Sequence, residues 1–191
     1  MRKIEQIAAD LNKVAEVTHT DYNRNFEEFL DFLIDTFSTD TLLAEQSYEV
    51  IFAKRKGNPY LPITLALLEY ATERIEADGS CDMFGAMYEQ CFKTSSKAAR
   101  LGQFFTPESL SKMMAEMVVG ESDGGREYYE PACGSGRLAV AHFGKQPKGR
   151  FCNYICEDID LLSVKMCALN LMFNCMCGEV RHGYSLKMEF D

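Results

Sequence analysis

A glycine-rich segment at Glu130 to Gly136 joins a short β-prone stretch to an apolar helical one. A strand, a glycine turn and a helix place free backbone N–H groups at the carboxyl edge of a parallel sheet, where ligands of open α/β folds bind. Glycine lets a ligand approach the backbone closely, although a Gly-x-Gly pair also occurs in plain tight turns. The segment therefore predicts a ligand site at this edge of the sheet.

Two acids, Asp158 and Asp160, follow the next predicted strand. They lie about 20 residues beyond the glycine segment, where a doubly wound nucleotide-binding unit places an acid that accepts the ribose hydroxyls. The simpler interpretation is that one of them only caps the helix predicted from Leu161 to Phe173, which fits Asp160 better than Asp158.

Four segments between residues 82 and 186 resemble motifs of one protein family, and they occur in the order in which the family has them. Glu-Pro-Ala-Cys-Gly-Ser-Gly at 130–136 resembles the Asp-Pro-Ala-Cys-Gly-Ser-Gly loop of adenine-N6 DNA methyltransferases, especially the modification subunits of type I restriction systems. Gly-Gln-Phe-Phe-Thr-Pro at 102–107 and Asp-Met-Phe-Gly-Ala-Met-Tyr-Glu at 82–89 are similar to two further family segments. Asp-Ile-Asp at 158–160, with Asn-Leu at 170–171, resembles a fourth.

The resemblance implies that S-adenosylmethionine or S-adenosylhomocysteine is the ligand. It places residues 103–108 around the methionine part, the glycine loop beneath the cofactor, Asp158 on the ribose and Ile159 against the adenine. The predicted cofactor-binding residues are Gln103, Phe104, Phe105, Thr106, Pro107, Glu108, Glu130, Ala132, Cys133, Gly134, Ser135, Gly136, Arg137, Asp158 and Ile159.

The sequence departs from the family pattern in two ways. Gly-Tyr-Ser-Leu at 183–186 stands where the family carries Gly-Asp-Ser/Thr-Leu, whose Asp contacts the adenine amino group. The family's Asn/Asp-Pro-Pro-Tyr/Phe motif, which holds the flipped target adenine, does not occur in the 191 residues. We therefore predict no catalytic residue here, and no methylation of DNA by this polypeptide alone.

The predicted fold is α/β. Apolar residues repeat at three and four through the first third of the chain, which indicates a helical N-terminal region over residues 1–80. Short strands alternate with helices afterwards, which predicts a parallel sheet. We interpret residues 81–191 as a partial, truncated Rossmann-like methyltransferase domain with strand order 3-2-1, whose first strand, at Tyr128 and Tyr129, has an open edge.

Composition limits the partners. The net charge of −9 disfavours unaided binding to nucleic acid, so DNA is expected as a partner only together with other subunits or domains, such as a specificity subunit or a second copy. The eight cysteines lie in apolar stretches and lack zinc-ligand spacing, which favours reduced thiols and no metal site. Without a membrane span or secretory signal, we expect a cytoplasmic protein.

Two other functions remain open. The chain could be a non-catalytic interaction module, derived from a methylase, that binds a protein partner through the open sheet edge. A dehydrogenase-like dinucleotide site fits less well, because the glycine loop lacks Gly-x-Gly-x-x-Gly.

Overall fold

The computed structural model describes residues 3–38, 47–92, 106–119, 126–147, 151–186 and 189–190. Its helices are α1 (Ile4–Thr18), α2 (Tyr22–Phe37), α3 (Tyr48–Lys54), α4 (Leu61–Asp78), α5 (Met83–Phe92), α6 (Glu108–Val118), α7 (Arg137–Lys145) and α8 (Leu161–Phe173). Its strands are β1 (Arg126–Glu130), β2 (Cys152–Asp158), β3 (Gly178–Tyr184) and β4 (Glu189–Phe190).

The chain forms two compact units, one of residues 1–70 and 87–94 and the other of residues 71–86 and 95–191. Helices α4 and α5 each contribute residues to both units. The domain limits taken from the sequence, 1–80 and 81–191, stay a prediction.

The first unit is helical, with a core built from residues at the predicted spacing. Ile7 and Leu11 of α1 are fully buried, as are Phe29 and Leu33 of α2. The chain makes a short turn between these two helices. His19 takes a left-handed φ of 54° and ends α1, and the Asp21 carboxylate caps α2.

The second unit contains the sheet. Strands β1, β2 and β3 are parallel and adjacent in that order, which confirms the predicted fold class and the order 3-2-1, counted from the other edge. The structure adds a strand that the sequence did not reveal, because β4 is only two residues long and pairs antiparallel with β3. Within the described residues, β1 pairs only with β2, so its other edge has no partner strand.

The two faces of this sheet differ in what covers them. One face packs on α7 and α8 around a core of buried residues: Cys133, Ala139, Val140, Tyr154, Cys156, Cys167, Leu171 and Met176. On the other face the Glu157 carboxylate is nearly fully buried, and it accepts hydrogen bonds from the Tyr129 hydroxyl at 2.6 Å and from Arg181 Nη1 at 3.0 Å.

None of the helices in the described ranges is long and apolar enough to cross a membrane.

Candidate functional site

The glycine loop leaves β1 at the carboxyl edge of the sheet, as predicted. Gly134 and Gly136 both have left-handed φ angles, 53° and 84°, which other residues rarely adopt. A Cβ at Gly136 would lie 2.8 Å from the Cys167 sulfur, so the start of α7 packs directly on α8. Glycine is therefore required at position 136 by both the backbone angle and the packing.

The side chains of Cys133 and Ser135 in the loop point into the protein. Ser135 is fully buried, and Cys133 lies against Cys156 and Cys167 in the core. Hydrogen bonding to Cys156, together with burial, raises the pKa of the Cys133 thiol. A neutral, inward-facing thiol of this kind is a core group. The loop's outward surface is formed by its backbone together with the exposed side chains of Pro131 and Ala132.

Asp158 holds the loop. Its carboxylate accepts a hydrogen bond from the Gly134 N–H at 2.8 Å and another from the Asp160 N–H at 2.9 Å. Each carboxylate oxygen keeps a second lone pair for another donor. Asp160 caps α8 by accepting from the Ser163 N–H at 3.0 Å, so the two acids have different roles.

A cavity of about 310 Å³ opens beside the loop and Asp158. Its volume falls at the lower end of the usual range for small-molecule sites. Ser185 at the end of β3 donates its hydroxyl proton to the Pro131 carbonyl at 3.0 Å, which ties β3 to the loop at this point. The cavity is lined by Pro131, Ala132, Asp158, Ile159, Gly183, Tyr184, Ser185 and Leu186.

Glu130, the first residue of the predicted loop segment, is half-buried at the end of β1. It accepts a hydrogen bond from the Tyr128 hydroxyl at 2.7 Å. Burial raises the pKa of the Glu130 carboxyl, with the Tyr128 hydrogen bond acting in the opposite direction. Its carboxylate does not line the cavity.

A buried polar network centred on Asp82 lies behind the loop. Oδ1 accepts from the Gly85 N–H at 2.9 Å and from Asn170 Nδ2 at 2.6 Å. Oδ2 accepts from the Ser135 hydroxyl at 3.1 Å and from Arg137 Nε at 2.5 Å. The network joins three of the four family segments, at 82–89, 130–136 and 170–171.

Arg137 extends this network to the fourth segment. Its Nη1 donates to the Thr106 carbonyl at 2.9 Å, and its side chain is 8% exposed. Helix α6 begins at Glu108, and Pro107 occupies its N-cap position. A hydrogen bond from Lys112, at 2.8 Å, lowers the pKa of the Glu108 carboxyl. Gln103, Phe104 and Phe105 lie outside the described residues.

Asn174, which the sequence did not single out, helps to hold the segment before Asp82 in place. It accepts from the Cys81 N–H at 2.8 Å and donates to the Cys81 carbonyl at 2.9 Å. Asn170, one turn earlier, accepts from the Met83 N–H at 3.1 Å. The signal was present as two Asn residues four apart, Asn170 in the last turn of a mostly apolar helix and Asn174 at its C-cap, since buried amides need partners.

Several known proteins are similar to this chain. Residues 79–189 match the family model described as N-6 DNA Methylase. The type I restriction enzyme MpnII methylase subunit of Mycoplasma pneumoniae is 30% identical over 100 residues, which are 50% of this chain and 18% of that protein. The type I restriction enzyme MjaIX methylase subunit of Methanocaldococcus jannaschii is 30% identical over 106 residues, which are 52% of this chain and 18% of that protein.

A solved structure is also similar, that of the type I restriction-modification system methyltransferase subunit from Streptococcus thermophilus. It has a TM-score of 0.45 and 20% identity, over 93% of this chain and 37% of that one. The chain thus spans less than a fifth of the length of the curated relatives it matches. The resemblance seen in the four segments is confirmed, because the family model covers more than half of the sequence. The chain belongs to the N-6 DNA methylase family.

Proposed function

We propose that this chain binds S-adenosylmethionine and forms the cofactor-binding part of a site-specific adenine-N6 DNA methyltransferase of the restriction-modification type. The observation that carries the proposal is the cavity beside the glycine loop, which has Asp158 in its wall. Family membership supports the choice of ligand.

The cavity suits the adenosine end of the cofactor. Pro131, Ala132, Ile159 and Leu186 give it apolar walls, as an adenine ring requires. The Asp158 carboxylate already holds the loop in place, and its remaining lone pairs are the acceptors for the two ribose hydroxyls.

The start of α7 suits the charged tail. Gly136 is the N-cap of this helix, and no side chain in the described ranges caps it. The N–H groups of a helix's first turn lack intrahelical partners and favour an anion such as a carboxylate. The bound cofactor would supply an electrophilic methyl group on its sulfonium, and the residues of this chain would hold and orient it.

The target base needs groups of another kind. The 191 residues include no Asn-Pro-Pro-Tyr/Phe motif for a flipped adenine, and their net charge is −9. We therefore expect cofactor binding without methyl transfer to DNA when these residues act alone. Methylation would need DNA, a specificity subunit or further methylase segments as partners.

Titration calorimetry with S-adenosylmethionine and S-adenosylhomocysteine tests the proposal. We expect one ligand per chain. Asp158→Ala should weaken binding about tenfold or more, because it removes a charged hydrogen-bond acceptor. Asp160→Ala is the matched control, since Asp160 caps α8 and does not line the cavity. Absence of heat with both ligands at millimolar concentration would refute the proposal.

The open edge of β1 favours a second candidate, a non-catalytic module that pairs with another copy of this chain. Tyr129 on β1 is 50% exposed, and Phe151, just before β2, is 59% exposed. An unpaired strand edge is a template for pairing with another chain. Light scattering, which gives the oligomeric state, separates the two candidates when it is combined with the calorimetry above. A stable dimer without cofactor affinity favours the second candidate, and a monomer that binds the cofactor favours the first.

A further inference from the structure

The Asp82 carboxylate is saturated. Two oxygens with about four lone-pair sites accept from four donors, which are a backbone N–H, an amide, a hydroxyl and a guanidinium. Its side chain is 8% exposed. The packing is tight as well, because a Cβ at Gly85 would lie 2.5 Å from the Ser135 hydroxyl. Asp82 therefore has no capacity left for a ligand, and its role is to fix its four donors.

One of those donors, Arg137, is also bound elsewhere. The guanidinium is planar and rigid, so its N–H groups have fixed directions relative to one another. When Arg137 Nε donates to Asp82, Arg137 Nη1 therefore points toward the Thr106 carbonyl. Thr106 immediately precedes Pro107 and α6. Helix α6 belongs to the second unit, and its Ser111 and Ala115 side chains are buried there. The Asp82–Arg137 ion pair thus determines where the Thr106 end of the 102–107 segment lies.

The loop connects the cavity to this point. Pro131 and Ala132 line the cavity at one end of the loop, and Arg137 follows its other end. A ligand with its ring in the cavity and its tail along the loop backbone would extend from Pro131 toward the Arg137 end of the loop, and Arg137 holds the Thr106 carbonyl.

From this geometry we propose that Arg137 is a positioning residue, which holds Thr106 against the amino-acid tail of the cofactor through Asp82 and does not itself bind the cofactor. This proposal rests on the proposed function. It changes the role that the family resemblance implies for Arg137, since the guanidinium is already engaged by Asp82 and Thr106.

Two matched ligands test the role. S-adenosylhomocysteine and 5′-methylthioadenosine share the thioether and the adenosine, and only the first carries the amino-acid tail. Wild-type binding of both is measured first by calorimetry. Failure of both to bind the wild type would refute the proposed function itself, and a difference among variants bears only on Arg137.

Arg137→Lys keeps the charge opposite Asp82 and loses the fork. It should weaken S-adenosylhomocysteine about tenfold, the effect of one charge-assisted hydrogen bond, and leave methylthioadenosine within about twofold. Asp82→Asn should give the same pattern, because it acts through Arg137. If the Arg137→Lys chain does not fold, the double variant Asp82→Asn/Arg137→Gln removes both charges together and should show the same selective loss.

Three results would overturn the assignment. Equal weakening of both ligands would show that Arg137 only stabilises the fold. No weakening of either would show that it has no role in binding. Selective weakening by Arg137→Lys with unchanged or tighter binding by Asp82→Asn would show that the guanidinium touches the tail directly.

Discussion

The inner and outer sides of the glycine loop differ in how their polar groups are used. On the inner side, Ser135 and Arg137 are buried and bonded to the saturated Asp82 carboxylate. On the outer side, the cavity is walled by apolar groups and one carboxylate, and Ile159 is 64% exposed. The inner side carries the hydrogen bonds that fix the loop's shape, and the outer side keeps the backbone surface on which a ligand can lie.

The hydrogen bonds on the inner side preorganise the glycine loop for a ligand on the outer side. A loop in left-handed conformations at Gly134 and Gly136 is held by partners behind it, so a ligand need not order it. Substitutions on the inner side should therefore change stability first, and affinity only through the position of Thr106, whereas those on the outer side should change affinity without changing stability. Substitutions at four positions test this division, from the largest expected effect to the smallest.

Asp82→Ala should destabilise the fold most. It leaves the buried Arg137 guanidinium without its counter-ion, which typically costs about 3–5 kcal/mol. Urea unfolding measures the loss. Glu116→Ala is the control, because that side chain is 62% exposed in its pair with Lys145 and should cost less than about 0.5 kcal/mol. A loss for Asp82→Ala of the same size as the control would contradict the inner network's role.

Gly136→Ala should cost about 1–3 kcal/mol, since it adds a Cβ 2.8 Å from the Cys167 sulfur at a φ of 84°. Gly57→Ala isolates the backbone part, because Gly57 has a φ of 93° and a Cβ added there would meet nothing within 4 Å. Adding Cys167→Ala to Gly136→Ala removes the sulfur that the new Cβ meets, so it should recover the part of the stability loss that is due to this contact. No recovery in this double-mutant cycle would mean that the contact with α8 does not limit the loop.

Ile159→Ala should leave the free energy of unfolding within about 0.5 kcal/mol, because the side chain is 64% exposed. The loss of an apolar wall should weaken S-adenosylhomocysteine by roughly 1 kcal/mol, about fivefold. Unfolding and calorimetry on one preparation check both values. A stability loss larger than the affinity loss would place Ile159 with the inner side.

A substitution at Glu130 should give the smallest effect, and the direction in which this effect on the free energy of unfolding changes with pH is fixed by the raised pKa. Burial raises its folded-state pKa above the unfolded value of about 4.3. Its contribution is therefore present below the unfolded pKa and is lost as pH rises through the folded value. Glu130→Gln does not titrate, so the variant should gain stability relative to wild type as the pH rises from the unfolded pKa of about 4.3 through the raised folded value. Parallel unfolding curves for the two proteins over this range would contradict the effect of burial.

Local sequence was sufficient for the three parallel strands, their order and the helix that follows β2. The helix predicted from Leu161 to Phe173 has the same bounds in the structure, because an N-cap aspartate and a mostly apolar run define it locally. Alternating strands and helices after residue 126 determined the parallel sheet in the same way. Strand β4 escaped prediction because two residues carry no periodic signal.

The sequence by itself thus determined where the glycine loop and its acid lie, since the positive φ angles need glycine and the strand ends put Gly134 and Asp158 at one edge. Only the tertiary structure decided what the neighbouring polar residues do. Asp82 is 55 residues from Arg137 and 88 from Asn170, and a contact at that separation leaves no local pattern. Whether a buried charge meets a ligand or another side chain depends on which groups the fold brings within hydrogen-bonding distance.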